Sequence, residues 1–137
     1  MTMQSTHAVG DRSARIAPRL VAYAARSIPV SIFVQFLLAG LSLFENAALW
    51  EWHSMLGFLM MVPIGIVVVA AFRSVSVRPL RWWAMTLAIL YVLQFVFIIA
   101  GQNTGSGILK ALHPFNGCLL LTAALVIVAK IERSHSG

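Results

Sequence analysis

Four apolar stretches, near Ser27–Phe44, Ala47–Phe72, Trp82–Gly101 and Ile108–Lys130, fill almost all of this 137-residue chain. Each is long enough, or nearly so, to cross a bilayer, which takes ~20 residues. The overall balance agrees: 60% hydrophobic residues, 10% charged residues and a mean hydropathy of +0.88 are a membrane protein's composition. No length is left for a soluble catalytic domain. The expected fold is all-α, a four-helix transmembrane bundle over residues 27–130. A basic tail, 1–26, precedes it and a short tail, 131–137, follows it.

The formal charge of +6 is unevenly placed. Arg12, Arg15, Arg19 and Arg26 precede the first helix, Arg73, Arg78 and Arg81 lie between the second and third, and Lys130 and Arg133 follow the fourth. In a four-pass chain all of these share one side. The other side carries Lys110, with Glu45 and Glu51. The positive-inside rule then puts both termini in the cytoplasm, across a bacterial inner membrane, and a nucleic-acid surface is disfavoured. The first 20 residues are polar and lack a small-residue cleavage site before the apolar run, so they are expected to stay as a tail, with a short interfacial helix over Ala17–Arg26. Cys118 is the only cysteine. That excludes an intrachain disulfide and covalent haem attachment through a CxxCH motif, and suggests a packed thiol.

The chain repeats itself. Val34-Gln-Phe-Leu-Leu-Ala-Gly followed by His53-Ser-Met-Leu-Gly is echoed by Leu93-Gln-Phe-Val-Phe-Ile-Ile-Ala-Gly followed by His113-Pro-Phe-Asn-Gly. Gln35 aligns with Gln94 at a separation of 59 residues, and His53 with His113 and Gly57 with Gly117 at 60. The bundle is therefore two parallel helical hairpins, residues 27–72 and 82–130, related by a pseudo-two-fold along the membrane normal. Asn46 and Ser106 are candidate caps for the second and fourth helices. Both histidines then lie at one depth, about 9 Å into their helices at 1.5 Å per residue.

A histidine in hydrocarbon is costly and marks a functional site by default. Two at equal depth suggest the axial ligands of one b-type haem, with the second and fourth helices diagonal so that the rings meet in the bundle core. Gly57 and Gly117 lie one turn beyond each histidine on the same face, where a side chain would crowd a porphyrin. Gln35 and Gln94 are expected to face inward, with Ala39, Ser42 and Gly101, and to hydrogen-bond the histidines or one another. Lys110, one turn before His113, is a candidate partner for a haem propionate or a snorkelling lysine. Pro63 should kink the second helix, while Trp50, Trp52, Trp82 and Trp83 form an interfacial belt. His7 and His135 sit in the tails, away from the pair.

The segment Gln35…His53-Ser-Met-Leu56-Gly57 within a four-helix repeat resembles one half of haem A synthase, and more loosely the cytochrome b561 bundles. In the synthase, the second and fourth helices of each half supply the axial histidines near the outer face. The resemblance covers roughly residues 27–130 and implies His53 and His113 as ligands. Glu51 lies two positions before His53 and Ser54 follows it, unlike the synthase's glutamate three positions before and arginine after. Two histidines hold one haem rather than the two of cytochrome b561. The expected protein is an electron carrier or redox-complex subunit more than a stand-alone enzyme, with lipid and a redox partner or larger membrane complex as its partners. The alternative is a cofactor-free structural or assembly subunit whose histidines only bridge helices.

Overall fold

The computed structural model describes the backbone of residues 4–135 and the side chains of 19–133; the outermost residues of both expected tails lie outside the described residues. Among the described residues five helices follow in order: α1 Gln4–Phe44, α2 Leu49–Leu59, α3 Met61–Arg73, α4 Arg81–Thr104 and α5 Gly107–His135. A 3₁₀ turn, Val75–Leu80, joins α3 to α4. Four spans are long and apolar enough to cross a membrane: Arg19–Phe44, Leu49–Arg73, Val75–Thr104 and Gly107–Arg133. The chain is an all-α four-helix bundle of membrane type.

Two local expectations change. The separate interfacial helix over Ala17–Arg26 does not form, because α1 runs without interruption from Gln4 to Phe44. Ala22, Ala24 and Ala25 are strong helix formers and carry the helix through. Cys118 is exposed on the outside of the bundle rather than packed, since it stands five residues from His113 and therefore on a different face of α5.

The second span is divided at Met60. Pro63 has no N–H for the Leu59 carbonyl and its ring crowds that carbonyl, so one helical bond is missing there, while Met60 keeps helical dihedrals and Ile64 N–H donates to the Met60 carbonyl at 3.2 Å. The Met60 N–H makes the ordinary helical bond to the Leu56 carbonyl at 3.0 Å. A neighbouring helix steadies the break: the Tyr91 hydroxyl of α4 donates to the Gly57 carbonyl at 2.9 Å, as polar side chains do beside interrupted helices in lipid. Pro114 leaves α5 continuous.

The two turns remote from the arginines are compact. Asn46 Oδ1 accepts from the Ala48 N–H at 2.9 Å, and the Asn46 carbonyl accepts from Leu49 at 3.0 Å, so Asn46 caps the turn that leads into α2. Gly105 ends α4 with φ of 68°, a left-handed conformation that only glycine adopts without steric cost. Ser106 Oγ then accepts from the Leu109 N–H at 3.4 Å at the start of α5.

The spans form a square. α1 packs on α2, α3 and α5, and α4 packs on α3 and α5. The α2–α3 span thus lies diagonally opposite α5. At the arginine-rich end the core is dense: Ala25, Ile28 and Ile32 of α1, Ile64 and Val67 of α3, Ala84 and Leu87 of α4, and Leu120, Ala124 and Ile127 of α5 are all buried. Arg26 donates to Glu132 at 3.3 Å across α1 and α5. At the opposite end the picture reverses. Beyond Ile32, Met60, Leu87 and Leu120, no apolar side chain larger than glycine is buried among the described residues. Ser42, Asn116, Gly101 and Gly117 are the buried residues there. One half of the bundle is a packed core, and the other is polar within.

Candidate functional site

His53 and His113 occupy the polar half. Each lies seven residues after its cap, Asn46 or Ser106, so the two turns set both rings at one depth. Because α2 and α5 are diagonal, the rings meet across the bundle axis. Their centroids are 6.3 Å apart and their planes 58° from parallel. Both residues are half-buried.

Each ring is held by a reciprocal clasp from the first helix of its own hairpin. In the first hairpin, His53 Nδ1 lies 3.1 Å from the Gln35 carbonyl, while the Gln35 amide Nε2 donates to the His53 carbonyl at 2.9 Å. In the second, His113 Nδ1 lies 3.0 Å from the Gln94 carbonyl. The Gln94 amide, oriented as its neighbours require, donates to the His113 carbonyl at 2.8 Å and accepts from the Gly117 N–H at 2.7 Å. The Gln35 carbonyl can only accept, so His53 Nδ1 carries that ring's proton, whereas His113 Nδ1 faces both the Gln94 carbonyl at 3.0 Å and the Gln94 amide N–H at 2.9 Å. His53 Nε2 is therefore left with a free electron pair, which is the state in which imidazole ligates a metal.

The clasps explain the glycines. A Cβ on Gly57 would stand 3.0 Å from Gln35 Nε2, and one on Gly117 would stand 3.2 Å from Phe36 and 3.3 Å from the Gln94 amide. In this structure the volume one turn beyond each histidine is taken by its glutamine. Gly101 acts at the end of the second hairpin: a Cβ there would lie 2.9 Å from Lys110 Cγ and 3.0 Å from the Lys110 backbone nitrogen. Lys110 is thereby fixed against α4, one turn before His113. Ser42 is buried, its hydroxyl bonded back to the Leu38 carbonyl at 2.6 Å.

Five residues join the site without having been singled out for it from the sequence. Asn116 is only 2% exposed, and its amide donates to the Leu90 carbonyl at 2.8 Å, pinning α5 to α4 beside His113. Its signal was present in the His-Pro-Phe-Asn-Gly string, three residues on and so on the same helical face. Tyr91 and Phe95 form the floor with Phe58, whose ring stacks on Phe95 at 5.2 Å. Trp50, expected only as part of the interfacial belt, stands edge-on to His53 at 5.3 Å. No pattern in the sequence distinguishes it from the other tryptophans.

The two hairpins differ in finish. The Gln94 amide is satisfied at both ends, whereas Gln35 Oε1 is buried without a hydrogen-bond partner. Among the described residues no group of three or more His, Cys, Asp or Glu side chains converges. The pair alone thus falls short of the four ligands of a structural zinc site. A porphyrin brings four nitrogens of its own and asks the protein for two.

The family model for a family of unknown function, DUF6220, matches residues 35–101. The matched stretch contains Gln35, His53, Gly57, Gln94 and Gly101 and ends before His113. The search of curated proteins gives no match, and neither does that of solved structures. The chain is thus similar to DUF6220 over both glutamines of the repeat and the first of its two histidines.

Proposed function

We propose that this protein is an integral membrane b-type haem protein that holds one haem between His53 and His113 and serves electron transfer, as a carrier or as a subunit of a larger redox complex. The observation that carries the reading is the ring separation of 6.3 Å. A collinear imidazole–metal–imidazole unit would have about 2 Å per metal–nitrogen bond and roughly 1.1 Å from each nitrogen to its ring centre, hence about 6.2 Å between centres. The Nδ1 bond from His53 to the Gln35 carbonyl supports it independently, because it leaves His53 Nε2 as an electron-pair donor.

In this reading His53 and His113 would hold the haem, Gln35 would keep the proton of the His53 ring in place, Gln94 would position the His113 ring, Gly57 and Gly117 would make room for those glutamines, and Lys110 would pair with a propionate. The haem supplies a one-electron iron couple. With both axial positions filled, electron transfer is favoured over substrate binding at iron. Nine of the ten Lys and Arg residues stand at the densely packed end or in the flanking tails, so that end faces the cytoplasm of a bacterial inner membrane and the haem lies in the outer leaflet.

A cofactor-free structural subunit is the second reading, favoured by one observation: the glutamine clasps are themselves interhelical polar bonds of the kind that hold membrane bundles together. Spectroscopy separates the two. Purified after expression with haem supplied, the reduced protein should show a sharp low-spin b-type spectrum. His53→Ala and His113→Ala should abolish or convert it, and His7→Ala and His135→Ala should leave it unchanged. Absence of a Soret band, or an unchanged spectrum in His113→Ala, would overturn the haem reading.

A further inference from the structure

The connection between the second and third spans has a shape of its own. Its 3₁₀ turn, Val75–Leu80, winds at about three residues per turn, so side chains three apart stand one above another. Leu80 is buried, and Val77 packs half-buried against the core on the same edge. Val75, Arg78 and Arg81 fall on a different edge, and all three are exposed. With Pro79 and Trp82 they line an open cleft of about 390 Å³ at the arginine-rich end of the bundle. The Arg81 guanidinium lies over the Trp82 ring, 5.4 Å from its centroid. Such stacking steadies the cation and leaves its N–H edge free to bond.

The cleft holds two positive charges and no negative one. The ion pair at this end joins Arg26 to Glu132, across α1 and α5. Among the described residues no carboxylate approaches Arg78 or Arg81. Arginine forks match the paired free oxygens of a phosphodiester. Below Trp82, the α4 residues Met85, Ile89, Val92 and Val96 are exposed as well, and their alternating spacing of three and four sets them on one face of the helix. A basic cleft thus crowns an unbroken apolar stripe that descends into the hydrocarbon. The two together have the outline of a phospholipid, head and tail, and the stripe would be of no use to a free phosphate.

We propose that Arg78 and Arg81 hold the phosphodiester of an anionic phospholipid of the phosphatidylglycerol class, with an acyl chain laid along Trp82, Met85, Ile89 and Val92. The net charge of the headgroup follows from the cleft. A zwitterionic lipid brings an ammonium group to a place with two cations and no carboxylate, whereas an uncharged glycerol headgroup meets no such repulsion. Neither the histidine pair nor a haem takes part, so the lipid site and the haem reading stand or fall separately.

Trp82 reports on the site directly. The full chain carrying Trp50→Phe, Trp52→Phe and Trp83→Phe keeps Trp82 as its one tryptophan. It is reconstituted in phosphatidylcholine vesicles, and phosphatidylglycerol or phosphatidylcholine with brominated acyl chains, which quench tryptophan on contact, is titrated in. Brominated phosphatidylglycerol should quench Trp82 at about a tenfold lower mole fraction than brominated phosphatidylcholine. Arg78→Gln with Arg81→Gln should bring the two lipids to within about twofold of each other. Lys130→Gln with Arg133→Gln, which removes as much charge from the same end of the bundle, should leave the preference intact. Inorganic phosphate at millimolar concentration should not relieve the quenching.

Equal quenching by the two lipids overturns the proposal, as does an equal loss of preference in the Lys130 and Arg133 variant, which would reduce the effect to diffuse charge. Relief by inorganic phosphate would assign the cleft to a free anion and overturn it too. The unaltered chain supplies a check that needs no substitution. Extracted in mild detergent from membranes with equal amounts of both lipids, it should retain phosphatidylglycerol in native mass spectrometry, and retention of both alike refutes the site.

Discussion

The two glutamines occupy matching places in the repeat, yet their removal should have opposite consequences. Gln94→Met keeps a side chain of similar shape while deleting the bonds to the His113 carbonyl and from the Gly117 N–H. Interhelical bonds in membrane proteins average about 0.6 kcal/mol, with a maximum near 1.7. The loss should therefore be about 1–1.5 kcal/mol, or roughly a five- to tenfold drop in the folding equilibrium constant. Gln35→Met deletes one bond, to the His53 carbonyl, and also removes an amide oxygen that is buried without a partner. An unsatisfied buried polar atom costs about 1–3 kcal/mol. The two effects offset, and Gln35→Met should be neutral or slightly stabilising. Reversible unfolding of the haem-free protein in mixed micelles, titrated with a denaturing detergent and followed by tryptophan fluorescence, measures both. A cost for Gln35→Met equal to or above that of Gln94→Met would refute the asymmetry between the clasps.

Gly101→Ala should destabilise the haem-free bundle by about 1–3 kcal/mol in the same assay, because the new Cβ would press on the Lys110 backbone as well as its flexible stem, and the backbone has little room to yield. Gly40→Ala, with nothing within 4 Å of its Cβ, should be neutral or stabilising, since alanine is the better helix former. For orientation, single cysteines at positions 104 and 76 in a Cys118→Ser background should react oppositely with a membrane-impermeant thiol reagent added outside cells. Position 104 should label and position 76 should not; the reverse result would invert the assignment of the haem to the outer leaflet.

The architecture was largely legible from sequence because its determinants are long-range and redundant. Four apolar runs, a 60-residue repeat and proline at position 63 each survive errors of a few residues at helix ends. The length of α1 was harder: Arg19 and Arg26 look like the limit of a span, but charge decides where a helix meets water, not where its backbone hydrogen bonds stop. The histidine pair and its glutamines were visible as a pattern, whereas what the glycines accommodate was not. Sequence spacing puts Gly57 under His53 without saying which neighbour fills the gap. That depends on the crossing of α1 and α2, and Gln35 fills it. Trp50 was hidden for the same reason, since interfacial tryptophans and one that touches a functional ring are identical in sequence.

The confinement of the buried apolar side chains to one half of the bundle bears on the order in which the protein is put together. Helix–helix association in lipid draws on close packing, and the contacts among Ile28, Val67, Leu87 and Ile127 are complete without any participation from the histidine end. The chain can insert, pair its hairpins and lock at its arginine-rich end while the opposite end still stands open. In the haem reading, a planar cofactor would then arrive at a finished scaffold and need not be threaded into a folding one. The same division lets the ligand-bearing half vary in sequence without endangering insertion, so that the two halves of one small bundle can change on separate schedules.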